Sequence, residues 1–347
     1  MNYLVSIIIP VYKVEAYIER CVASIMRQTF HEAPIECILV DDCSPDNSIA
    51  IAQDMINSYH GNIDFKILRN DKNSGVAATR NNGLNHATGK YIFFLDSDDD
   101  LKENCMQVLL EAAAEHPDAD MIMANNFYKK QNKPYINYTG PAVMNTDQLL
   151  KAFYWEKIPI VVWNSLIKRE LIVKNNLSFR PGLMHEDNLW AMKLYPCVKK
   201  FVYVPQITLI YEDTPASFMN DVALQAPKIL PHEIVIMEEF LNSFNESHAV
   251  GYTIYITSFL IRMLDVSKLC NEDLRNKVKK LRGKLIKHSL KHGRLVLACF
   301  ELWTYDPLNK LFKYRFFRHH FEKVKKATYA IASLFNPIHA IFNKTHQ

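Results

Sequence analysis

Four carboxylates follow one another closely near position 98 of the chain. Residues 91–95 are aromatic or aliphatic, which predicts a buried strand, and Asp96, Asp98, Asp99 and Asp100 come directly after it. Carboxylates packed this closely repel one another, and a cation usually keeps them ionised together. Their hard oxygen atoms suit Mg²⁺ or Mn²⁺, which such sites often share with substrate phosphates. By itself, the run fits a metal site and a solvated acidic loop or helix N-cap cluster equally well.

Strand and helix patterns alternate along the first 125 residues. The first apolar run, 5–12, is predicted to be a strand that ends at Pro10, because proline lacks the N–H of a strand ladder. The alternation predicts an α/β fold with a doubly wound, mostly parallel sheet, which binds ligands outside the carboxyl ends of its strands. Further strands are predicted at 36–40, 65–68, 91–95 and 120–125, and helices at 16–28, 48–58, 76–87 and 106–115.

Past residue 126 the alternation loosens. Residues 129–146 are polar and predict a loop, and 201–210 predicts two short strands interrupted by Pro205. From residue 229 onward the pattern is helical. We therefore expect one domain over 1–228, made of parts at about 1–125 and 126–228, followed by a helical, basic C-terminal region over 229–347.

The charge of the chain is unevenly distributed. Residues 275–347 hold 17 Lys and Arg against 3 Asp and Glu, whereas the remainder holds 24 against 34. A basic tail on an acidic body predicts an anionic partner such as a membrane surface, or docking onto the acidic body itself. The seven cysteines are scattered, which favours a reducing compartment over a disulfide framework or a structural zinc site. No apolar run of the sequence reaches the length of a membrane span.

Polar motifs stand at the ends of successive predicted strands, and further motifs follow them. Together they resemble the family-2 inverting glycosyltransferases of the GT-A fold, and the spacing of so many elements makes the likeness specific. It runs from Val5 to about Leu101, resumes near position 163, and implies that 1–125 binds a nucleotide-sugar and 126–228 an acceptor. The motifs are Pro10-Val11-Tyr12, Asp41-Asp42, Asn73-Ser74-Gly75, Arg80-Asn81, Gly83, Asp96-Ser97-Asp98-Asp99, Trp163-Asn164 and Glu186-Asp187.

The first of these motifs carry residues that suit a nucleotide. Tyr12 can stack on a base through its ring face, and a carboxylate at Asp42 can accept a hydrogen bond from the ring N–H of uracil. Packing at a strand end is the alternative for Tyr12, and an Asx-turn before Pro45 is the alternative for Asp42. Arg80 can contact base, ribose or phosphate, with a surface ion pair as its alternative. The resemblance assigns the nucleotide-sugar to Pro10, Val11, Tyr12, Asp42, Asn73, Gly75, Arg80 and Asp96.

The resemblance also assigns a metal and a catalytic base. Asp96 and Asp98 match the DxD motif, which binds the ribose and a metal bridging the diphosphate, here Mn²⁺ or Mg²⁺; Asp99 is the next candidate ligand. Inverting transfer needs a base for the acceptor hydroxyl, and the match gives that role to Asp187, with Glu186 positioning it or the acceptor. A carboxylate near a diphosphate can have a raised pKa, which suits a base. The alternative for this pair is a helix start, where acidic side chains interact favourably with the helix dipole.

Two segments on the acceptor side depart from the family pattern. Trp163-Asn164 resembles the segment that lines the acceptor, but Ser165 stands where relatives commonly have a basic residue. Further on, Tyr211 and Ser217 match, while the basic residue that commonly follows the tyrosine is missing. Another cation is then needed to help neutralise the diphosphate. The candidates are Lys168, Arg169 and His185.

These expectations combine into a metal-dependent inverting hexosyl- or N-acetylhexosaminyltransferase. It would move a sugar from a UDP-sugar to a hydroxyl of a glycan or lipid-linked acceptor in surface polysaccharide synthesis; the alternative is a catalytically inactive nucleotide-sugar-binding module that acts as an assembly partner. We expect a cytoplasmic protein, peripheral on the inner face of the plasma membrane, where residues 275–347 meet anionic lipid. Residues 312–321 mix rings with cations, which suits a membrane interface or a helix that covers the body. No nucleic-acid-binding motif accompanies the tail, so no nucleic acid partner is expected.

Overall fold

The computed structural model describes residues 3–30, 32–212, 222–242 and 249–291. The chain divides into two compact units, the first ending at Asn220 and the second beginning at Asp221. The expected division into 1–228 and 229–347, and the separate nucleotide and acceptor parts of the first domain, stay predictions. Ser217 and residues 312–321, for which the sequence predicts roles, lie outside the described residues.

The described part of the first unit is built on one sheet of ten strands. The strands are β1 (Val5–Val11), β2 (Ile35–Asp41), β3 (Ile63–Arg69), β4 (Tyr91–Phe94), β5 (Asp100–Leu101), β6 (Met121–Tyr128), β7 (Lys133–Pro134), β8 (Val143–Asn145), β9 (Ser165–Lys168) and β10 (Lys200–Tyr211). Their order is β3-β2-β1-β4-β9-β6-β10-β5, with β7 beside β6 and β8 beside β10. Strands β1 to β4 pair in parallel, as do β6 and β10, while β9 runs antiparallel between β4 and β6. The predicted α/β fold with a mostly parallel sheet is confirmed.

Helices alternate with the strands of the first unit as the sequence predicts. They are α1 (Ile18–Met26), α2 (Ser48–Asn57), α3 (Val76–His86), α4 (Cys105–Glu115), α5 (Thr146–Tyr154), α6 (Arg169–Lys174) and α7 (Glu186–Leu194). Because β1 to β4, β6 and β10 all run in one direction, their carboxyl ends lie at one side of the sheet, here called the carboxyl edge. Ligands of such sheets bind at this edge.

Helix α3 packs very closely on the sheet. A Cβ atom added at Gly83 would lie 2.4 Å from Cγ2 of Ile8 and 3.2 Å from Cγ2 of Val40. Only glycine permits this approach, so Gly83 has a packing role. This contact brings α3, which carries Arg80, close against β1 and β2.

Three details of the predicted strands are wrong. Strand β1 continues through Pro10 to Val11, because pairing with β4 ends at Ile8 and Phe94 and no strand partner then needs the missing N–H. The predicted loop 129–146 contains the short strands β7 and β8, which pair with β6 and β10. Residues 201–210 form part of one continuous strand, in which register shifts between Val204 and Leu209 accommodate the proline.

The described residues of the second unit form three helices: α8 (Val222–Asn242), α9 (Ala249–Ser267) and α10 (Glu272–Lys291). Helical structure thus begins seven residues before the predicted start at 229. Helix α10 buries Val278, Leu281 and Leu285 on one face, which is the spacing of an amphipathic helix. Among the described helices, none combines the length and the apolar character that crossing a membrane requires.

Candidate active site

Asp42 organises the turn between β3 and α3. Its Oδ1 accepts hydrogen bonds from the Ser74 N–H at 2.8 Å and the Asn70 side-chain amide at 2.7 Å, and its Oδ2 accepts from the Gly75 N–H at 2.8 Å. Gly75 has φ 82° and ψ 163°, a conformation open to glycine alone. The local turn that was the alternative for Asp42 is made by Asp41, whose Oδ1 accepts from the Ser44 N–H at 2.7 Å. Asp42 therefore fixes the loop of the predicted nucleotide site.

Tyr12 lies just past the end of β1 with 40% of its surface exposed. Packing in the strand end is therefore not its role: the ring is exposed, with the Lys13 ammonium 5.3 Å from the ring centroid, and it can stack on a planar group. Pro10 and Val11 lie within β1, where the Val11 carbonyl accepts a hydrogen bond from the Asp42 N–H at 3.0 Å. Their side chains help to build the edge, while Asn73 is exposed on the loop that Asp42 holds.

Arg80 is a buried cation shared by two carboxylates. Its guanidinium donates to Asp96 Oδ1 at 2.6 Å and to Glu186 Oε1, and only 4% of the residue is exposed. The surface ion pair considered for Arg80 is therefore wrong. The guanidinium carbon also lies 5.4 Å from the ring centroid of Phe179. Through Arg80, the end of β4 is joined to the start of α7.

The carboxylate run after β4 is neither a solvated loop nor a helix cap. Asp99 is fully buried, and Asp100 belongs to β5, whereas α4 begins later with Asn104 as its N-cap. Asp99 Oδ1 accepts a hydrogen bond from the Glu212 N–H at 3.2 Å, and its Oδ2 has no hydrogen-bond partner among the described residues. Burial, followed by the charges of Asp96 and Asp98, raises the pKa of Asp99 well above its usual value.

These carboxylates fit a divalent cation that also takes ligands from a substrate. No group of three or more His, Cys, Asp or Glu within the described ranges is arranged to hold a metal by itself. Asp96 and Asp98 are partly exposed, and a cation beside them would offset the repulsion that acts on buried Asp99. Mn²⁺ and Mg²⁺ commonly bind through one or two carboxylates together with substrate phosphates. Asp96, Asp98 and Asp99 therefore suit a cation bound together with a phosphate donor.

Asp187 lies in the first turn of α7, immediately after the buried Glu186. The helix begins after His185, which has a left-handed backbone with φ 57°. Asp187 Oδ1 accepts a hydrogen bond from the Asn188 N–H at 2.9 Å. Burial and then the charge of Glu186 raise the pKa of Asp187 to about 6, against the opposite effects of His185 and Arg80. A carboxylate with this pKa can accept a proton near neutral pH.

Trp163 and Asn164 are both buried, but they contact different parts of the site. Asn164 is fully buried with φ 55°; its amide donates to the Asn125 carbonyl at 3.1 Å, and its Oδ1 accepts from the Thr208 hydroxyl at 2.9 Å. Asn164 thus ties β6 to β10 and does not line an acceptor surface, contrary to the prediction. Trp163 stacks on Tyr211, with ring centroids 5.8 Å apart. The aromatic cluster consists of Tyr128, Tyr135, Trp163 and Tyr211.

The cations proposed to replace the missing basic residue lie in different places. Lys168 pairs with Tyr91, the first residue of β4, so it and Arg169 lie at the opposite end of the sheet from Asp96. Both are therefore wrong candidates. His185 remains, because it adjoins Asp187 and its charge affects the pKa of that carboxyl.

Arg20 and Lys129 are cations of the site that the sequence analysis missed. Arg20 donates to the Asp98 carbonyl at 2.6 Å and pairs with Glu212 at 3.3 Å, while Lys129 pairs with the same carboxylate at 2.6 Å. Glu212, which follows Tyr211 where relatives commonly have a basic residue, therefore has its charge compensated by two cations. An arginine within an amphipathic helix such as α1 carries no sequence signal that would single it out.

The comparisons with known proteins concern the family and the fold. Residues 6–174 match the family model described as glycosyl transferase family 2. Glycosyltransferase GlyG of Streptococcus pneumoniae is 29% identical over 63% of this chain and 74% of its own length, and the uncharacterized glycosyltransferase EpsJ of Bacillus subtilis is 33% identical over 62% of each. The part of the chain from residue 6 to residue 174 belongs to glycosyl transferase family 2. The match spans less than two thirds of EpsJ and of several other curated relatives.

Solved structures show the same fold. The structure of Staphylococcus aureus TarS in complex with UDP-GlcNAc superposes with a TM-score of 0.66 over 87% of each chain, at 20% identity. Mannosyltransferase PcManGT from Pyrobaculum calidifontis, in complex with GDP-Man and Mn²⁺, matches with a TM-score of 0.57 over 97% of this chain and 87% of its own, at 15% identity. At these identities the likeness concerns the fold alone, and the GT-A fold predicted from the sequence is confirmed.

Proposed function

We propose that the protein is a metal-dependent inverting glycosyltransferase that transfers a hexose or N-acetylhexosamine from a UDP-sugar. The acceptor is a hydroxyl of a glycan or lipid-linked glycan in surface polysaccharide synthesis. One observation carries the proposal: Arg80 joins Asp96 to Glu186, which brings Asp187, with its raised pKa, to the edge that holds the predicted donor residues. A donor site and a base are what an inverting transfer requires.

The nucleotide is proposed to bind where β1, β2 and β4 end. Tyr12 stacks on the base with its exposed ring, Asp42 and the Asn73–Gly75 loop surround the base edge, and Asp96 holds the ribose. Arg80 stands behind Asp96 and orients its carboxylate. Pro10 and Val11 form the end of β1, and Tyr12 directly follows them. The complex of the TarS neighbour with UDP-GlcNAc supports a UDP-sugar as donor.

The metal is proposed to be Mn²⁺ or Mg²⁺, held by one or two of the carboxylates of Asp98, Asp96 and Asp99 together with the donor diphosphate. The buried Asp99 Oδ2 without a hydrogen-bond partner supports this, as does the Mn²⁺ in the mannosyltransferase neighbour. When bound, the metal would offset the negative charge that develops on the departing diphosphate. Arg20 of α1 stabilises this run of carboxylates by donating a hydrogen bond to the Asp98 carbonyl.

Asp187 is proposed to act as the general base. It takes the proton of the acceptor hydroxyl as that oxygen attacks C1 of the sugar from the face opposite the diphosphate. The new C1–oxygen bond forms while the bond from C1 to the phosphate oxygen breaks, and its electron pair leaves with the diphosphate. Glu186 keeps the carboxyl basic, because its charge raises the pKa of Asp187.

The acceptor is proposed to lie against the aromatic cluster. Tyr135 exposes 38% of its surface, and its ring centroid is 5.7 Å from that of Trp163. The charge of Asp187 is among the causes that raise the pKa of Tyr135, after burial, so the phenol lies within electrostatic range of the carboxylate. Rings at this place offer an apolar face to a sugar.

The basic C-terminal segment, 275–347, is proposed to contact anionic lipid, so that the protein works in the cytoplasm on the inner face of the plasma membrane. Its described part, within α10, exposes Lys277, Lys279, Lys280, Lys284 and Lys287 opposite the apolar face. Each such lysine contributes about 1 kcal/mol near an anionic surface. Binding to phosphatidylserine vesicles that weakens with salt, and that exceeds binding to an oligonucleotide, is the expected result.

A nucleotide-sugar-binding module without transfer is the second candidate. Glu212 favours it, because it places a carboxylate where a cation would help to neutralise the diphosphate; after burial, its charge is also among the causes that raise the pKa of Asp100. Ser165 favours it less, since this residue is fully buried within β9 and lies too deep to contact a diphosphate.

A donor screen decides between the two candidates. The purified chain with Mn²⁺ is incubated with UDP-GlcNAc, UDP-glucose, UDP-galactose and GDP-mannose, and nucleoside diphosphate release is measured with and without a glycolipid extract. Release from a UDP-sugar that EDTA stops, and that an Asp187→Asn variant lacks, is the expected result. Tight UDP binding without release under any condition supports the binding module instead.

A further inference from the structure

Arg80 occupies a position that a nucleotide contact does not explain. Two of its guanidinium nitrogens are engaged by protein carboxylates, Asp96 on the donor side and Glu186 on the side of the base. The third, Nε, is buried and has no hydrogen-bond partner among the described residues. A group that served only to bind the nucleotide would not need a partner 106 positions away in the chain.

The surroundings hold this guanidinium rigidly. Asn81, the next residue of α3, accepts from the Phe179 N–H at 2.9 Å and donates to the Phe179 carbonyl at 2.8 Å. Phe179 stacks on Trp190 of α7 with centroids 4.2 Å apart, and it meets Phe94 of β4 edge to face at 5.3 Å. Helices α3 and α7 and strand β4 are thus packed through one aromatic group directly beside the ion pairs.

Resting on the proposed function, we propose that Arg80 is a positioning residue that couples the donor side of the site to the catalytic base. It clamps Asp96 and Glu186 to one guanidinium and so holds the first turn of α7, which carries Asp187, against the carboxyl edge. A donor that engages Asp96 then affects Asp187 through the two ion pairs of Arg80, a partly exposed one with Asp96 and a buried one with Glu186.

The electrostatics of Asp187 give this proposal a measurable signature. The groups that face its carboxylate are Glu186, which raises its pKa, and His185 and Arg80, which lower it; Tyr135 is a further neighbour. Removing the cation leaves the Glu186 charge uncompensated. The carboxyl of Asp187 should then hold its proton to a higher pH.

The experiment compares Arg80→Met and Arg80→Lys with the wild-type chain. Labelling of Asp187 by a carbodiimide and glycine amide, which requires the protonated carboxyl, is followed against pH by tandem mass spectrometry of the peptide. UDP affinity with Mn²⁺ is measured by calorimetry. In Arg80→Met the labelling midpoint should rise by about one pH unit, while the UDP Kd changes less than about tenfold. Arg80→Lys should keep the midpoint near wild type, and Arg69→Met, an exposed arginine on β3, should move neither quantity.

Arg80→Met leaves the carboxylates of Asp96 and Glu186 without their cation. If this variant fails to fold for that reason, a second pair of variants tests the proposal. The variant Arg80→Met with Glu186→Gln is compared with Glu186→Gln alone, and the midpoint should again be higher where the arginine is absent. An unchanged midpoint in folded variants overturns the proposal. The proposal is also overturned if UDP affinity falls by more than about tenfold while the pH midpoint of Asp187 labelling stays unchanged, because Arg80 is then a nucleotide contact. Labelling needs no turnover, so failure of the donor screen is a separate result.

Discussion

The two halves of the carboxyl edge are built in different ways. On the donor half, the polar groups are held by turns that directly follow a strand: Asp42 binds the backbone of Ser74 and Gly75, and Tyr12 continues β1. On the base and acceptor half, positions depend on distant parts of the chain. Asp187 is placed through Glu186 and Arg80, which are 106 positions apart in the sequence.

Under the proposed function, this difference separates donor recognition from catalysis. A nucleotide site made from strand ends is fixed by the sheet itself, so single side chains can change without moving the edge. The position of a base on a helix depends on the side chains that hold that helix in place. Its pKa is also more sensitive to nearby buried charges. Changes on the donor half should therefore alter binding, and changes around α7 should alter turnover and its dependence on pH.

The largest effect is expected from Asp98→Ala. Transfer should fall below detection because the cation that offsets the diphosphate charge loses its ligand. The fold should remain, since Asp98 is partly exposed, and the melting temperature should stay near wild type. Diphosphate release with Mn²⁺ is the measurement, and Asp118→Ala, an exposed carboxylate paired with Lys200, is the matched control. Near-normal turnover, or wild-type activity in EDTA, would contradict the metal site.

The next effect is expected from Asp187→Asn. Asparagine keeps the shape but cannot take the proton, so turnover should fall by roughly 10²–10⁴-fold. The UDP Kd should barely change, because the lost interaction matters mainly in the transition state. If the acidic pair served only to start α7, the asparagine would leave stability and turnover unchanged. Unchanged turnover would shift the role to Glu186.

Much of the donor half could be predicted from sequence because its signals are local. Each strand pattern is followed within a few residues by its polar group, and Gly75 marks a turn that only glycine can make. Even here one detail failed: Pro10 was expected to end β1, and only the limit of pairing with β4 explains why it does not.

The rest could not be predicted, because its contacts join distant segments. The sequence suggests an acceptor role for Asn164, but burial between β6 and β10 makes it a structural residue. Arg20 meets the Asp98 carbonyl 78 positions away, and nothing in its helical context signals this. Lys168 looked suitable by charge, yet the antiparallel direction of β9 carries it to the far end of the sheet.

The pH dependence of turnover should follow Asp187. Because the ionised carboxylate is the active form, turnover should fall about tenfold per pH unit below a pKa of about 6. Glu186→Gln removes the charge that raises this pKa, so the acid limb of the profile should move to lower pH. Initial rates across pH 4.5–8 with saturating donor test this, and an acid limb that does not move would remove Glu186 from this role.

A smaller effect on turnover, with a clear effect on stability, is expected from Asn164→Ala. The change leaves the Thr208 hydroxyl and the carbonyls of Ala124 and Asn125 without their partner, and the free energy of unfolding should fall by about 1–3 kcal/mol. Urea unfolding measures this, with Asn175→Ala, an exposed amide, as control. Loss of acceptor affinity at unchanged stability would restore the acceptor role for Asn164.

The smallest effect is expected at Tyr12, the exposed residue of the donor half. Tyr12→Leu removes a ring that stacks on the base, and such contacts are worth about 0.5–1.5 kcal/mol, so the UDP Kd should rise roughly two- to tenfold. Tyr12→Phe keeps the ring face and should bind like wild type. Turnover at saturating donor should not change in either variant, because the base on α7 is untouched.

Calorimetry with UDP, GDP and ADP in the presence of Mn²⁺ should also rank UDP first in the wild type, since Asp42 can accept a hydrogen bond from the uracil N–H. Tighter binding of GDP would overturn the choice of donor, while an unchanged UDP Kd in Tyr12→Leu would place the base elsewhere on the edge.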